Sequence, residues 1–275
     1  VSGLPPHTWV SCIEASHFDE GAAFASFDGH AMGDMKSYVY ATTDFGRTWK
    51  ALATPDLRGY AHVVRQDLVN PALLFLGTEQ GLFMSVDGGA QWAQFKGNLP
   101  DVAVRDLAIQ PRESDLLIAT HGRGLYILDD LTPLRALNQA VLATDVTMLP
   151  SRPSTMDIPA FEQRFDGDQA FDGESPGDEA NIAYFFKKRH MFGDCKLEVY
   201  DAGGQLIMTA PGGKRRGLNR VEIPMRMKPP KVPAATNLVP QPFAFVGPRL
   251  LPGTYTVKLI KGSEQYSSKL VLEAE

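Results

Sequence analysis

The sequence predicts an all-β chain, in which β-propeller blades of four-stranded antiparallel sheet are followed by a β-sandwich. Three observations predict it. A pattern of short strands and turns recurs with a period of 43 residues, measured from Asp44 to Asp87. A unit of about 40–45 residues with four short strands is the signature of a propeller blade. Beyond about residue 180 at least five short runs of apolar or alternating character follow one another, as in a sandwich. The chain also carries 25 glycines and 20 prolines among 275 residues, above the usual share of about 12%, which suits a fold of strands and turns.

The repeats justify the first region element by element. The leading strand recurs as TWVSCIEAS from Thr8, HVVRQDLVN from His62 and VRDLAIQPR from Val104. The second recurs as GAAFASFDGH from Gly21, ALLFLGTEQG from Ala72 and DLLIATHGRG from Asp115. The third strand, its turn and the fourth strand are YVYATTDFGRTWKAL (Tyr38 to Leu52) and GLFMSVDGGAQWAQF (Gly81 to Phe95). A third unit reaches GLYILDDL at Gly124 to Leu131. No stretch before Leu131 repeats apolar residues at i, i+3 and i+4, so helical repeats are excluded. TPLRALNQAVLA, Thr132 to Ala143, can form a helical turn or two, with Thr132 as N-cap and proline after it. Such sheets are apolar on both faces, and closed propellers have at least about four blades. Residues 1–143 are therefore expected to be about three blades of a larger ring, the remaining blades belonging to the parent protein.

Residues 144–180 read as a linker. Within it, Asp166, Asp168, Asp172, Glu174, Asp178 and Glu179 form an acidic, glycine-containing stretch that lacks the register of an EF-hand calcium loop. Residues 181–275 read as the sandwich: NIAYFFKKR, CKLEVYDAGGQLIMTA, GLNRVEIPMR, GTYTVKLIKG and SSKLVLEA. Asp201 to Gly204 is a hairpin turn whose glycines allow positive φ. The prolines between Pro224 and Pro252 mark a long loop.

Composition narrows the function classes. Apolar residues make up 44%, and 27 basic against 32 acidic residues leave a net charge of -5. That balance argues against a general polyanion binder and against overall steering to anionic membranes. Two cysteines, Cys12 and Cys195, cannot make a disulfide framework or a metal cluster and read as small buried hydrophobes. No run of 18 apolar residues exists, so no transmembrane helix is expected. Val1 to Trp9 carries no targeting pattern, and the chain reads as a mature or excised segment.

The clearest motif is Thr42-x-Asp44-x-Gly46-x-x-Trp49, repeated as Ser85-x-Asp87-x-Gly89-x-x-Trp92. The aspartate can accept backbone N–H bonds across its own turn, and the glycine supplies an unrestricted φ. The tryptophan can return to cover the sheet, so Trp49 is expected to be a buried anchor. These residues are structural. The two boxes resemble the Asp-box of BNR-repeat proteins in the sialidase-like superfamily. VRDLAIQPRESDLLIATHGRGLYILDDLTPLR, Val104 to Arg135, resembles the end of the propeller in bacterial sortilin-like repeat proteins. GLNRVEIPMR with PGTYTVKL resembles the immunoglobulin-like domain that follows such propellers. The resemblance implies an exported bacterial protein, periplasmic, secreted or at the cell surface, and a superfamily that includes carbohydrate-active enzymes and receptor-like propellers. The catalytic arginines, acid and tyrosine–glutamate pair of sialidases are not matched here.

Candidate ligand-binding residues are Arg65 and Arg105, read as occupying equivalent places on two leading strands that line a channel. Ion pairs with Asp67 and Asp106, or with the adjacent blade, are the competing role for them. Candidate catalytic carboxylates are Glu14, Asp67 and Asp106, because glycoside hydrolysis needs two acids a fixed distance apart. The glycine-flanked His121-Gly122-Arg123-Gly124 leads into a strand, not a helix, so it is no phosphate loop. The histidines lack zinc spacing, and no cofactor or metal is expected. Lys187-Lys188-Arg189-His190 and Lys214-Arg215-Arg216 are local basic runs. Nucleic-acid recognition also needs strand-borne aromatics in a recognisable module, and the nearby Tyr184, Phe185 and Phe186 read as sandwich core, so no nucleic acid is expected. The expected function is a non-catalytic binding or scaffolding segment with a glycan or peptide ligand; the alternative is a fragment of a glycoside hydrolase-like enzyme.

Overall fold

The structure is a computed structural model, and it describes residues 1–156, 179–229 and 247–274. The chain divides into two compact units, Val1–Ala140 and Val141–Glu275. Nearly all the regular structure is β. Among the described residues no helix is long and apolar enough to cross a membrane.

The first unit holds three antiparallel meanders in which neighbouring strands are consecutive in sequence. The first comprises β1 (Trp9–Ala15), β2 (Ala23–Gly29), β3 (Asp34–Thr42) and β4 (Lys50–Ala51). The second comprises β5 (Ala61–Gln66), β6 (Leu74–Thr78), β7 (Gly81–Ser85) and β8 (Ala93–Gln94). The third has three strands only: β9 (Val104–Gln110), β10 (Asp115–Thr120) and β11 (Leu125–Leu128). No closed ring of sheets is seen among the described residues.

A fourth strand is missing from the third sheet because the chain turns away after β11 into two short helices, α1 (Thr132–Arg135) and α2 (Gln139–Ala143). Asp130, at φ 55°, makes the turn, and Pro133 has no N–H to give to a ladder. The expected N-cap is corrected here. Thr132 lies inside α1 and Leu131 occupies the cap, while the Asp130 carboxylate accepts the Thr132 N–H at 3.0 Å.

The middle sheet is buried on both sides. Phe24, Val39 and Leu52 of the first sheet and its exit meet Val64, Leu74, Leu76, Phe83 and Trp92 in one core. On the other side Gly77 of β6 meets β9 so closely that an added Cβ would lie 2.7 Å from the Val104 carbonyl oxygen and from Val63 Cγ1. Neither a backbone carbonyl nor a packed valine can move cheaply. Gly77→Ala is therefore expected to lower the unfolding free energy by about 1–3 kcal/mol through overpacking. Urea unfolding measures this, and a variant as stable as the parent would show that the two sheets are not so close. The third sheet has an open face: Leu116 and Ile118 are buried, whereas Leu117, Leu125 and Ile127 are 36%, 74% and 60% exposed.

The second unit surrounds a separate core with two sheets. One is ordered β12 (Val146–Leu149), β14 (Glu179–Phe186), β17 (Gly217–Pro224). The other is ordered β13 (Ser154–Met156), β19 (Glu264–Ala274), β18 (Gly253–Lys261), β15 (Cys195–Tyr200), β16 (Leu206–Pro211). Among the described residues all pairs are antiparallel except β13 with β19, which is parallel. Ile182, Tyr184, Phe186 and Ile223 of the first sheet meet Leu197, Val199, Val257 and Leu259 of the second. The Asp201–Gly204 turn forms as expected: Gly204, at φ 80°, donates to the Asp201 carbonyl at 3.1 Å.

The stretch read as a linker is corrected at its two ends. Val146–Leu149 pairs with β14 and Ser154–Met156 with β19, and Glu179 already opens β14. Four-residue and three-residue runs carry too little periodicity to be recognised without their partner strands. The acidic residues Asp166 to Asp178, with the calcium reading, and most of the proline-rich loop lie outside the described residues. Cys12 and Cys195 are both free thiols; Cys195 is buried and Cys12 partly so.

Candidate functional site

Each Asp-box closes its turn through a hydroxyl–carboxylate pair, and Asp87 additionally accepts from Gln139 Nε2 at 3.2 Å. In the first, Thr42 Oγ1 donates to Asp44 Oδ1 at 2.9 Å and accepts the Gly46 N–H at 3.0 Å. The Asp44 carboxylate then accepts the Thr48 N–H at 2.8 Å and the Thr48 hydroxyl at 2.6 Å. In the second, Ser85 donates to Asp87 at 2.7 Å and accepts from Gly89 at 2.9 Å, and Asp87 accepts from the Gln91 N–H at 2.9 Å. Each turn needs two left-handed residues in succession, Phe45 (φ 60°) and Gly46 (φ 79°), then Gly88 (φ 71°) and Gly89 (φ 89°).

The Thr48 hydroxyl and N–H, followed by Thr42, hold the Asp44 carboxyl at about 2, below its ordinary 3.8. A depressed carboxylate stabilises the fold above its unfolded value and loses that contribution as pH falls through the folded one. Carbon-detected NMR titration is expected to place the Asp44 midpoint at about 2, and Thr48→Ala should raise it. A midpoint at the ordinary carboxylate value in the unmodified chain would contradict this hydrogen-bonding scheme.

The tryptophans of the two boxes differ, which corrects the expectation for Trp49. Trp92 is 4% exposed, and its indole N–H donates to the Leu52 carbonyl of the preceding sheet's exit at 2.9 Å. Trp49 is only partly buried, and its N–H turns back to Gly46 of its own box at 3.0 Å. It packs with Leu4 and Tyr38 beside Ala25, Phe27 and Tyr40.

The box spacing falls next on Asp130, where Leu128, Thr132 and Arg135 replace the hydroxyl residue, the glycine and the tryptophan. Arg135 has a different task. Its Nε and Nη2 bond the Asp67 carboxylate at 2.9 to 3.1 Å, and its Nη1 donates to Ser114 Oγ at 2.8 Å. Asp67 also accepts the Val69 and Asn70 N–H groups at 2.9 and 2.7 Å, with its side chain 0% exposed. Asp67 therefore faces no channel, and its place among candidate catalytic acids is corrected to a buried ion pair.

Arg65 does bring two candidate acids together. Its Nη1 donates to Glu14 Oε2 at 2.7 Å, its Nη2 to Asp106 Oδ1 at 3.4 Å and its Nε to the Leu107 carbonyl at 2.7 Å. One guanidinium thus links the leading strands of all three sheets. Glu14 and Arg65 are largely covered, whereas Asp106 is exposed. Arg65 and Arg105 are not equivalent, which is a further correction. Arg65 pairs across to Phe75 and Ala108 to Leu117, whereas Arg105 stands 43 residues beyond His62, near the start of its strand.

Arg105 belongs to a second cluster that the sequence reading missed. Its Nη1 lies 3.1 Å from both ring nitrogens of His62, and His62 Nε2 lies 2.9 Å from Glu79 Oε2. Tyr60 meets His62 edge-on with ring centroids 4.9 Å apart, and His30 stacks on Tyr60 at 4.7 Å. His30 Nδ1 lies 2.7 Å from Asp28. Trp9 is the cross-strand neighbour of Asp28, which places it on the same sheet face, and it is 70% exposed. Burial pushes the His62 pKa down, so its ring is biased to the neutral form. Burial also acts to raise Glu79, but hydrogen bonds from His62 and Tyr60 hold its carboxyl below the ordinary value. The one available signal was the alternation of Tyr60 and His62 at the start of a leading strand.

No protein-family model and no curated protein matches the chain. Solved structures resemble it distantly. PorZ, a bacterial surface component of the type-IX secretion system of Porphyromonas gingivalis, shares 14% identity over 96% of this chain and 30% of its own, with a TM-score of 0.35. YCF48 bound to D1 peptide shares 14% over 43% of this chain and 35% of its own, at 0.32. The GH74 enzyme of Niastella koreensis shares 11% over 95% and 38%, at 0.38. The chain spans less than half the length of each. Among the described residues no group of three or more His, Cys, Asp and Glu side chains is placed to hold a metal ion.

Proposed function

We propose that the chain is a glycan-binding, non-catalytic segment of an exported bacterial protein, built from Asp-box propeller blades and an immunoglobulin-like sandwich. The observation that carries the reading is the cluster around Arg105. An exposed tryptophan and a stacked His30–Tyr60 pair offer flat apolar faces, and Arg105, Asp28 and Glu79 offer fixed planar hydrogen-bonding groups beside them. Sugars present C–H faces to aromatic rings and hydroxyls to such groups. Two carboxylates against one guanidinium favour an uncharged saccharide over an anionic one. The recurring boxes and the three stacked meanders support the blade assignment. The open face of Leu117, Leu125 and Ile127 supports a further sheet covering it in the parent.

Glycan and peptide arrays probed with the whole chain test the reading. Retention on neutral oligosaccharides is the expected result; retention on peptides alone contradicts it. The hydrolase reading rests on one observation, that Glu14 and Asp106 flank a single cation. It requires turnover that Glu14→Gln and Asp106→Asn each abolish.

A further inference from the structure

We propose that one end of the second unit docks on an anionic lipid surface. Two basic runs that are separate in sequence form this end. One lies in the connection from β14 to β15, the other in the connection from β16 to β17. The structure ties them together: the His190 N–H donates to the Lys214 carbonyl at 3.0 Å, and Lys214 Nζ donates to the Gly193 carbonyl at 2.8 Å. Tyr184, buried in the core, fixes the second connection through its hydroxyl, which donates to the Gly213 carbonyl at 2.8 Å. Lys187, Lys188, Arg189, Lys214, Arg215 and Arg216 are all exposed at this end. Two acids stand by. Asp194 lends its carbonyl to the Gly262 N–H at 2.9 Å, and Glu264 is paired with Lys261 at 2.8 Å.

The same connection carries two large apolar side chains in water, Met191 at 62% and Phe192 at 85% exposure. Cations alone would suit any polyanion. An aromatic and a methionine projecting from the middle of the cations suit a boundary that is charged outside and apolar just beneath. Lysine and arginine gain from the negative potential of an anionic leaflet, and a ring at the headgroup level gains from leaving water. The net charge of -5 is a property of the whole chain; within a Debye length of about 8 Å the local cations decide.

Flotation of the whole chain with vesicles tests this. Vesicles of equal parts phosphatidylglycerol and phosphatidylcholine are compared with phosphatidylcholine alone at about 0.15 M salt. The chain is expected to float with the anionic vesicles and to stay behind with the neutral ones. Phe192→Ala should weaken partitioning at least about tenfold, and Lys188→Glu with Arg215→Glu should abolish it. All three positions are exposed, so thermal unfolding should be unchanged. Three results would overturn the proposal: no flotation with anionic vesicles, equal flotation with neutral ones, or a Phe192→Ala variant that binds like the parent. The last, together with tight binding of an RNA homopolymer, would assign the cations to nucleic acid.

Discussion

Asp67→Ala is expected to lower the unfolding free energy by about 3–5 kcal/mol, the usual result of stranding one member of a buried ion pair. Asp67 is fully buried and meets two guanidinium nitrogens and two backbone N–H groups, so its removal leaves Arg135 without its carboxylate. The loss is a relative one. Replacing both partners, Asp67→Ala with Arg135→Met, should recover much of it, because the stranded charge is gone. Urea unfolding of the three variants reads the effect. A single-variant loss under about 1 kcal/mol, or a double variant weaker than the single, would contradict the pairing.

Trp92→Ala is expected to cost a similar amount, about 3–5 kcal/mol, and Trp49→Ala far less. The two residues occupy the same place in two copies of one motif. Trp92 is inserted between two sheets with its N–H satisfied by the sheet before it, whereas Trp49 lies on the outer side of the first sheet. Trp92→Phe should keep most of the packing and lose about 1 kcal/mol for the hydrogen bond. Equal losses for the two alanine variants would mean that the sheets do not stack as described.

What could be read in advance depended on the range of the interaction. The Asp-box residues were legible because the bonds that shape each turn, from Thr42 and Thr48 to Asp44 and from Ser85 and Gln91 to Asp87, span four residues or fewer, and the strands were legible because they repeat. The difference between Trp92 and Trp49 was not, since it depends on a preceding sheet whose contact residue, Leu52, lies elsewhere in the chain. Asp67 was misplaced for the same reason: its partner Arg135 is distant in sequence, on a helix that replaces a strand. Arg65 and Arg105 looked alike by position on their strands, but a bulge near the start of β5 and the register across β6 and β10 send them to different neighbours. The aromatic cluster is assembled from three separate strands and turns, so no local pattern announced it. Val146–Leu149 became visible as a strand only beside β14.

Native mass spectrometry of the chain mixed with neutral hexasaccharides tests the central claim most directly, because one spectrum reads both the complex and the mass of the bound sugar. Cellohexaose, mannohexaose and chitohexaose are suitable probes. The account predicts a complex carrying at least one intact hexasaccharide, weakened by Trp9→Ala and Arg105→Ala and unchanged by Glu14→Gln. Free chain alone in every mixture would contradict a glycan-binding role, and shortened saccharides that disappear with Glu14→Gln would make the chain a hydrolase.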